Sequence, residues 1–72
     1  MRFWEAMKIV DEGGRVGRKF WGGDWQMVFY HPTAKRLVKE HIPSGYNWEY
    51  IPTVVDMVAT DWEVYEPNVA ME

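Results

Sequence analysis

The chain contains no cysteine, and its longest uninterrupted apolar run is Met27-Val28-Phe29-Tyr30. Without thiols it can form neither a disulfide bond nor a thiolate metal site. The apolar run is far shorter than the roughly 18 residues of a membrane-spanning helix, so we expect no membrane partner. The acidic Glu5 lies where a secretory signal would need an apolar segment. These absences favour a cytoplasmic location.

Recognisable catalytic and metal-binding patterns are also missing. Ser44 is the only serine, and the residues around it do not form a nucleophile elbow. His31 and His41 lack the spacing of a metal-ligand motif. The glycine-rich, basic segment 13–19 lacks the spacing and the ending of a phosphate-binding loop. We therefore expect no enzymatic activity, no cofactor and no metal ion.

Lysine and arginine are absent from residues 40–72. All eight lysines and arginines lie in residues 1–39, where the formal net charge is +4, whereas residues 40–72 carry −7. Either the two halves neutralise each other, within one chain or between subunits, or the basic half provides a positive region for an anion. The overall charge of −3 argues against a long nucleic acid as a partner, because domains that follow a phosphate backbone are usually basic.

Aromatic side chains, in contrast, are abundant. They make up 17 % of the 72 residues. A chain of this length fits a single domain over residues 1–72, which we expect to be ordered over about 2–66 with a tail at 67–72. The tryptophans are Trp4, Trp21, Trp25, Trp48 and Trp62. Each can bury on the order of 200 Å², and one small core cannot enclose them all. We therefore expect some aromatic side chains to face another subunit or a ligand.

Hydrophobic periodicity predicts one helix followed by strands. Apolar residues recur at helical spacing from Phe3 to Val10, and Gly13-Gly14 closes a helix of about ten residues. Alternating or continuous apolar patterns predict strands over residues 15–21, 26–31, 36–40 and 61–66. The segment 26–31 is apolar on both faces, so we expect it to be a central strand or to be covered by another subunit.

Two segments between these strands are less regular. Residues 46–51 fit either a strand or an aromatic-rich loop. Residues 52–59 predict one short helix, in which Thr53 is the N-cap and Asp56 occupies the capping-box position.

Residues at the two ends of the chain resemble the type-two Thoeris anti-defence proteins, a family of short, mainly phage and bacterial proteins. The opening pattern of that family is matched by Phe3-x-x-Ala6-Met7-x-x-Val10-x-x-Gly13-x-x-Val16-x-Arg18-x-x-Trp21. Its closing pattern is matched by Asp56-Met57-Val58-Ala59-Thr60-Asp61-Trp62-Glu63-Val64. Together the two segments span most of the chain, which makes the combined resemblance fairly specific.

The resemblance implies an α+β fold in which an N-terminal helix packs on a small antiparallel sheet. It also implies a homo-oligomer, dimer or tetramer, with ligand pockets between subunits. Characterised members of the family bind cyclic ADP-ribose-type signals of bacterial immunity, and some bind cyclic oligonucleotides. They act as sponges that sequester the signal without cleaving it. We expect the same function here, with a small signalling nucleotide as the partner.

The resemblance also implies roles for single residues. We expect Phe3 and Trp21 to stack on a base, and Arg18 to donate hydrogen bonds to a phosphate. Asp56 and Asp61 would accept hydrogen bonds from ribose hydroxyls or from a base edge. For Trp62 and Phe29 we expect positions in the core.

Two alternative functions remain open from the sequence. The protein could inhibit a host protein through an exposed aromatic surface, for which Trp4, Trp25, Trp48 and Tyr50 are the candidate residues. It could also be a nucleotide-cleaving enzyme that uses Asp56, Asp61 or His31, which we rank last.

Overall fold

The computed structural model describes residues 1–23 and 25–66, so Asp24 of the predicted turn and the predicted tail at 67–72 lie outside the described residues. The elements are α1 (Phe3–Asp11), β1 (Val16–Arg18), a 3₁₀ turn (Lys19–Trp21), β2 (Gln26–His31), β3 (Arg36–His41), β4 (Tyr46–Glu49), α2 (Val54–Val58) and β5 (Trp62–Val64). The α+β fold predicted from the sequence is confirmed. Neither helix is long and apolar enough to cross a membrane, within the described part of the chain.

The five strands form one antiparallel sheet in the order β4-β3-β2-β1-β5. The apolar strand β2 is central, as its two apolar faces predict. Helix α1 packs over β1, β2 and β5 and contacts α2. The first helix therefore covers one half of one sheet face, and this half contains the main core cluster.

Helix α1 follows the predicted boundaries closely. The backbone N–H of Arg2 donates to Glu5 Oε1 over 2.7 Å at the start of the helix. Ala6 and Val10 are buried on the face that meets the sheet. The helix ends where Gly13 takes a φ of +92°, a left-handed conformation that favours glycine.

Strand β1 is shorter than the predicted strand over 15–21, because Asp61 interrupts it. The backbone N–H of Lys19 donates to the carbonyl oxygen of Asp61 over 2.9 Å. The N–H of Phe20 donates to the carboxylate oxygen Oδ2 of Asp61, also over 2.9 Å. These bonds turn the chain into the 3₁₀ segment, which ends at Gly22 with a φ of +92°. Trp21 is thereby directed to the core instead of alternating along a strand.

The irregular segments become β4 and the short helix α2. Thr53 is the N-cap, and its Oγ1 accepts the backbone N–H of Asp56 over 3.1 Å. Among the described residues the second bond of the predicted capping box, from the Thr53 backbone N–H to the Asp56 carboxylate, is not formed. That carboxylate instead accepts hydrogen bonds from Arg18 and Tyr50. The side chain of Asp56 is therefore available for a tertiary contact.

Core positions were predicted correctly for Trp62 and wrongly for Phe29. Trp62 is 2 % exposed and belongs to the main core with Val16 and Val28. Successive residues of a strand face opposite sides, so Phe29 points away from the side that Val28 shares with α1. There it is half-buried, with the Arg15 guanidinium 5.7 Å from its ring centroid.

Candidate functional site

The five predicted site residues come together in the fold, although they lie at opposite ends of the chain. The ring of Phe3 contacts Trp62 edge to face, with 5.5 Å between centroids. Trp62 contacts Trp21 in the same way at 5.3 Å, and Trp21 lies 6.2 Å from Tyr50. Helix α1, the 3₁₀ turn and the β4–α2 segment thus each supply one ring to a series of edge-to-face contacts that includes Trp62.

Polar groups from β1, α2 and the loop before β5 adjoin these aromatic rings. Arg18 Nε donates to Asp61 Oδ1 over 2.8 Å, and its Nη1 donates to Asp56 Oδ1 over 3.1 Å. The hydroxyl of Tyr50 donates to Asp56 Oδ2 over 2.8 Å, and Trp62 Nε1 donates to the Asp56 carbonyl oxygen over 2.9 Å. We call this group the central cluster: Phe3, Arg18, Trp21, Tyr50, Asp56, Asp61 and Trp62.

Ionisation in the central cluster follows from these contacts. The hydrogen bond to Asp61 and the neighbouring carboxylates raise the pKa of Arg18. The Arg18 guanidinium holds the pKa of the Asp61 carboxyl below its usual value. Burial, and then the hydrogen bond to Asp56, raise the pKa of Tyr50 well above its ordinary value. Tyr50 is therefore a neutral donor, and the Arg18 guanidinium is a charged one.

Lys39 lies against the central cluster, whereas sequence reasoning counted it only among the basic residues of a positive region and not among the site residues. Its Nζ is 3.8 Å from the centroid of the Trp21 ring and 5.9 Å from that of Tyr50. Burial lowers the pKa of Lys39, while the charge of Asp56 acts in the opposite direction. The sequence does contain a signal, because alternation in β3 puts Lys39 on the same face as Leu37.

The profile of the Tad2-like family, described as the Thoeris anti-defense 2-like domain, matches residues 1–65. The chain belongs to this family. No curated protein matches the chain at a significant level. The match covers both diagnostic segments and all residues of the central cluster.

Membership of the Tad2-like family supports an anti-defence role for the protein. This is not a known enzyme family. A signalling molecule is the type of partner that the family suggests.

A second aromatic group of this Tad2-like domain lies at the other end of the sheet. Trp25 contacts His41 edge to face at 4.7 Å, and Tyr46 lies 5.5 Å from Trp48. Trp25 is 52 % exposed, and Trp48 is half-buried. The expectation that Tyr50 is exposed was wrong, because it is only 6 % exposed and its hydroxyl binds Asp56.

Both histidines support turns of the chain. His31 Nδ1 accepts the backbone N–H of Ala34 over 3.1 Å. His41 Nδ1 lies 2.7 Å from Ser44 Oγ, which also accepts the backbone N–H of Tyr46 over 3.2 Å. The serine and histidine are within the distance of a nucleophile and its base, but these contacts hold the β3–β4 turn. Sequence reasoning did not anticipate this pair.

Three open cavities formed by described residues of the Tad2-like domain have no residue of the central cluster in their lining. One of about 450 Å³ lies between α1 and β2–β3 and is lined by Met7, Val10, Asp11, Tyr30 and Leu37. Others of about 330 and 240 Å³ lie beside Arg15 and beside Glu63. None of these three cavities offers a cleft at Trp21.

Proposed function

We propose that this protein sequesters a small signalling nucleotide in the cytoplasm, without cleaving it, and so counters bacterial defence. The ligand class is a cyclic ADP-ribose-type molecule or a cyclic oligonucleotide. The observation that carries the proposal is the convergence of Phe3, Arg18, Trp21, Asp56 and Asp61 in one cluster. These residues come from the two segments that identify the family, which supports a shared role for them.

Within this proposal, Trp21 provides the surface on which a base stacks. Its edge-to-face contacts with Trp62 and Tyr50 fix the orientation of the indole. A preoriented ring binds a base with a smaller loss of conformational freedom than a mobile one. Phe3 packs against Trp62 from α1 and so helps to hold Trp21 through Trp62.

A second copy of the chain would supply one wall of a cleft at Trp21. The exposed fractions of four aliphatic side chains beside the central cluster are 65–74 %, and these residues are Ile51, Val54, Val55 and Val58. Contiguous exposed apolar patches mark interaction surfaces. A five-residue helix rich in β-branched residues is also marginal alone, so a partner would stabilise α2. We call Ile51, Val54, Val55 and Val58 the α2 patch and propose it as the homo-oligomer contact.

Replacing Val58 with lysine should therefore shift the protein towards the monomer, because a charge in an apolar interface would have to be desolvated. Sedimentation velocity measures the effect. Val64→Lys, at an exposed valine outside the α2 patch, is the matched control and should leave the association state unchanged. A wild-type protein that is monomeric at the concentrations used for ligand titration would contradict this contact.

Isothermal titration with cyclic ADP-ribose isomers and cyclic oligonucleotides tests the function itself. We expect saturable binding by the wild type and a loss of about tenfold or more in affinity for Trp21→Leu, because base–aromatic stacking contributes about 1–3 kcal/mol. Trp4→Leu removes a tryptophan that is 64 % exposed on α1 and should bind like the wild type. Circular dichroism checks that both variants fold.

The ligand should also be recovered unchanged from the complex after heat denaturation. A cleaved product that disappears in a Ser44→Ala variant would show turnover and contradict sequestration. A flat titration across the whole panel would remove the nucleotide function.

The second candidate function, inhibition of a host protein, is supported by the exposure of Trp4 and Trp25. Tryptophan is enriched among residues that dominate protein interfaces. A host protein retained at stoichiometric amounts, with no small molecule released on denaturation, would favour this function over sequestration.

A further inference from the structure

Lys39 is a half-buried cation whose ammonium lies over an aromatic ring. Its ammonium forms no ion pair with residues 1–23 and 25–66, where the ion pairs join Arg18 to Asp56 and Asp61, and Arg36 to Glu49. A lysine removed from water is usually paired. The contacts of this ammonium are instead the rings of Trp21 and Tyr50.

The sheet register places Lys39 on the side occupied by α1. Directly paired residues share a face, and Lys39 pairs with Val28 of β2 and with Trp48 of β4. Val28 is fully buried in the core, whereas α1 packs over β1, β2 and β5. Lys39 therefore lies at the border between the covered half of this face and the aromatic half that contains Trp48.

Arg18, in contrast, is poorly placed to receive an anion. Its side chain is 10 % exposed, and the carboxylates of Asp56 and Asp61 occupy three of its N–H groups. Phe20 covers the guanidinium, with 5.2 Å from its ring centroid to Arg18 Cζ. A phosphate that approached Arg18 would also have to displace the carboxylates of Asp56 and Asp61 from the guanidinium.

We propose that Lys39, and not Arg18, provides the anion contact for a phosphate-bearing ligand that stacks on Trp21. This inference rests on the proposed function and assigns the specificity for phosphate within the same site. In the free protein the ammonium covers a face of the indole that an incoming base needs. The base displaces the ammonium, and the long, flexible lysine side chain then binds the phosphate. One residue thus protects the stacking surface and selects a charged ligand.

Nuclear magnetic resonance of the indole N–H groups during a titration with inorganic pyrophosphate tests this contact. We expect a saturable shift of the Trp21 signal in the wild type, and binding weaker by about tenfold or more in Lys39→Met. Lys39→Arg keeps the charge and should retain binding. Lys8→Met, at an exposed lysine of α1, is the matched control and should match the wild type. An unchanged Trp62 indole signal would show that each variant keeps its core.

Absence of a saturable Trp21 shift in the wild type, or equal pyrophosphate affinity in Lys39→Met, would overturn the inference. Cyclic ADP-ribose and cyclic oligonucleotides in a parallel titration separate it from the proposed function. If they bind the wild type and Lys39→Met equally, the anion contact is wrong and the function stands. If pyrophosphate binds through Lys39 but none of the nucleotides bind, the anion contact stands and the nucleotide function is wrong.

Discussion

Replacing Asp56 with alanine is expected to lower the free energy of unfolding by about 3 kcal/mol, because it removes the more buried of the two carboxylates that pair with Arg18 and leaves the guanidinium with Asp61 alone. Asp56 is 7 % exposed and accepts hydrogen bonds from Arg18 and Tyr50 through its carboxylate. The substitution also leaves the buried Tyr50 hydroxyl without its acceptor, which adds a desolvation penalty. A domain of this size has a total stability of about 4–10 kcal/mol, so much of the variant could be unfolded at 37 °C.

Urea denaturation followed by circular dichroism measures this change. Asp61→Ala is the matched control, because Asp61 binds the same guanidinium but its side chain is 30 % exposed. We expect it to lose about 1–2 kcal/mol, since water can replace part of its contacts. Equal losses for the two variants would contradict this prediction, because they would show that the burial of Asp56 does not determine its contribution to the free energy of unfolding.

Local sequence patterns predicted the parts of the fold that depend on neighbouring residues. The apolar face of helix α1, from Phe3 to Val10, and the glycine that ends the helix lie within one short segment of the chain. The β2–β3 hairpin similarly follows from two strand segments joined by the turn at 32–35. For these elements the determinants lie a few residues apart, so periodicity and turn residues are sufficient.

Contacts between distant residues account for what the sequence did not predict. The end of β1 depends on Asp61, 41 positions from Phe20, whose backbone N–H it accepts. Burial of Tyr50 likewise depends on α2 folding back so that Asp56 reaches the hydroxyl. No periodicity within residues 15–21 or 46–51 contains this information.

The same distinction explains the outcome for the candidate site. Family motifs contain every residue of the central cluster except Tyr50, but they did not separate structural roles from ligand contacts. The short distances of Arg18 to Asp56 and Asp61 indicate that this ion pair fixes the approach of β1, α2 and β5. A buried ion pair can specify one arrangement of elements even where it adds little net stability. Lys39, which no motif contains, is left as the cation available at Trp21.

Replacing Trp62 with alanine is expected to destabilise the protein by about 4 kcal/mol, the upper part of the range for removing a large buried aromatic side chain. Trp62 is 2 % exposed, and its ring contacts both Phe3 and Trp21. The substitution removes the support of the indole on which we propose that a base stacks. Ligand affinity should therefore fall even in the fraction of the protein that remains folded.

Trp62→Phe separates packing from hydrogen bonding at this position. Phenylalanine fills most of the apolar volume but cannot donate to the Asp56 carbonyl oxygen, which accepts Trp62 Nε1–H over 2.9 Å. We expect a loss of about 2 kcal/mol, from one buried hydrogen bond together with the smaller ring. Trp4→Ala removes a tryptophan that is 64 % exposed and should change the free energy of unfolding by less than about 0.5 kcal/mol. Urea denaturation of the three variants gives the order of their losses in free energy of unfolding. If Trp4→Ala lost as much as Trp62→Ala, the aromatic contacts around Trp62 would not be what holds the two ends of the chain together.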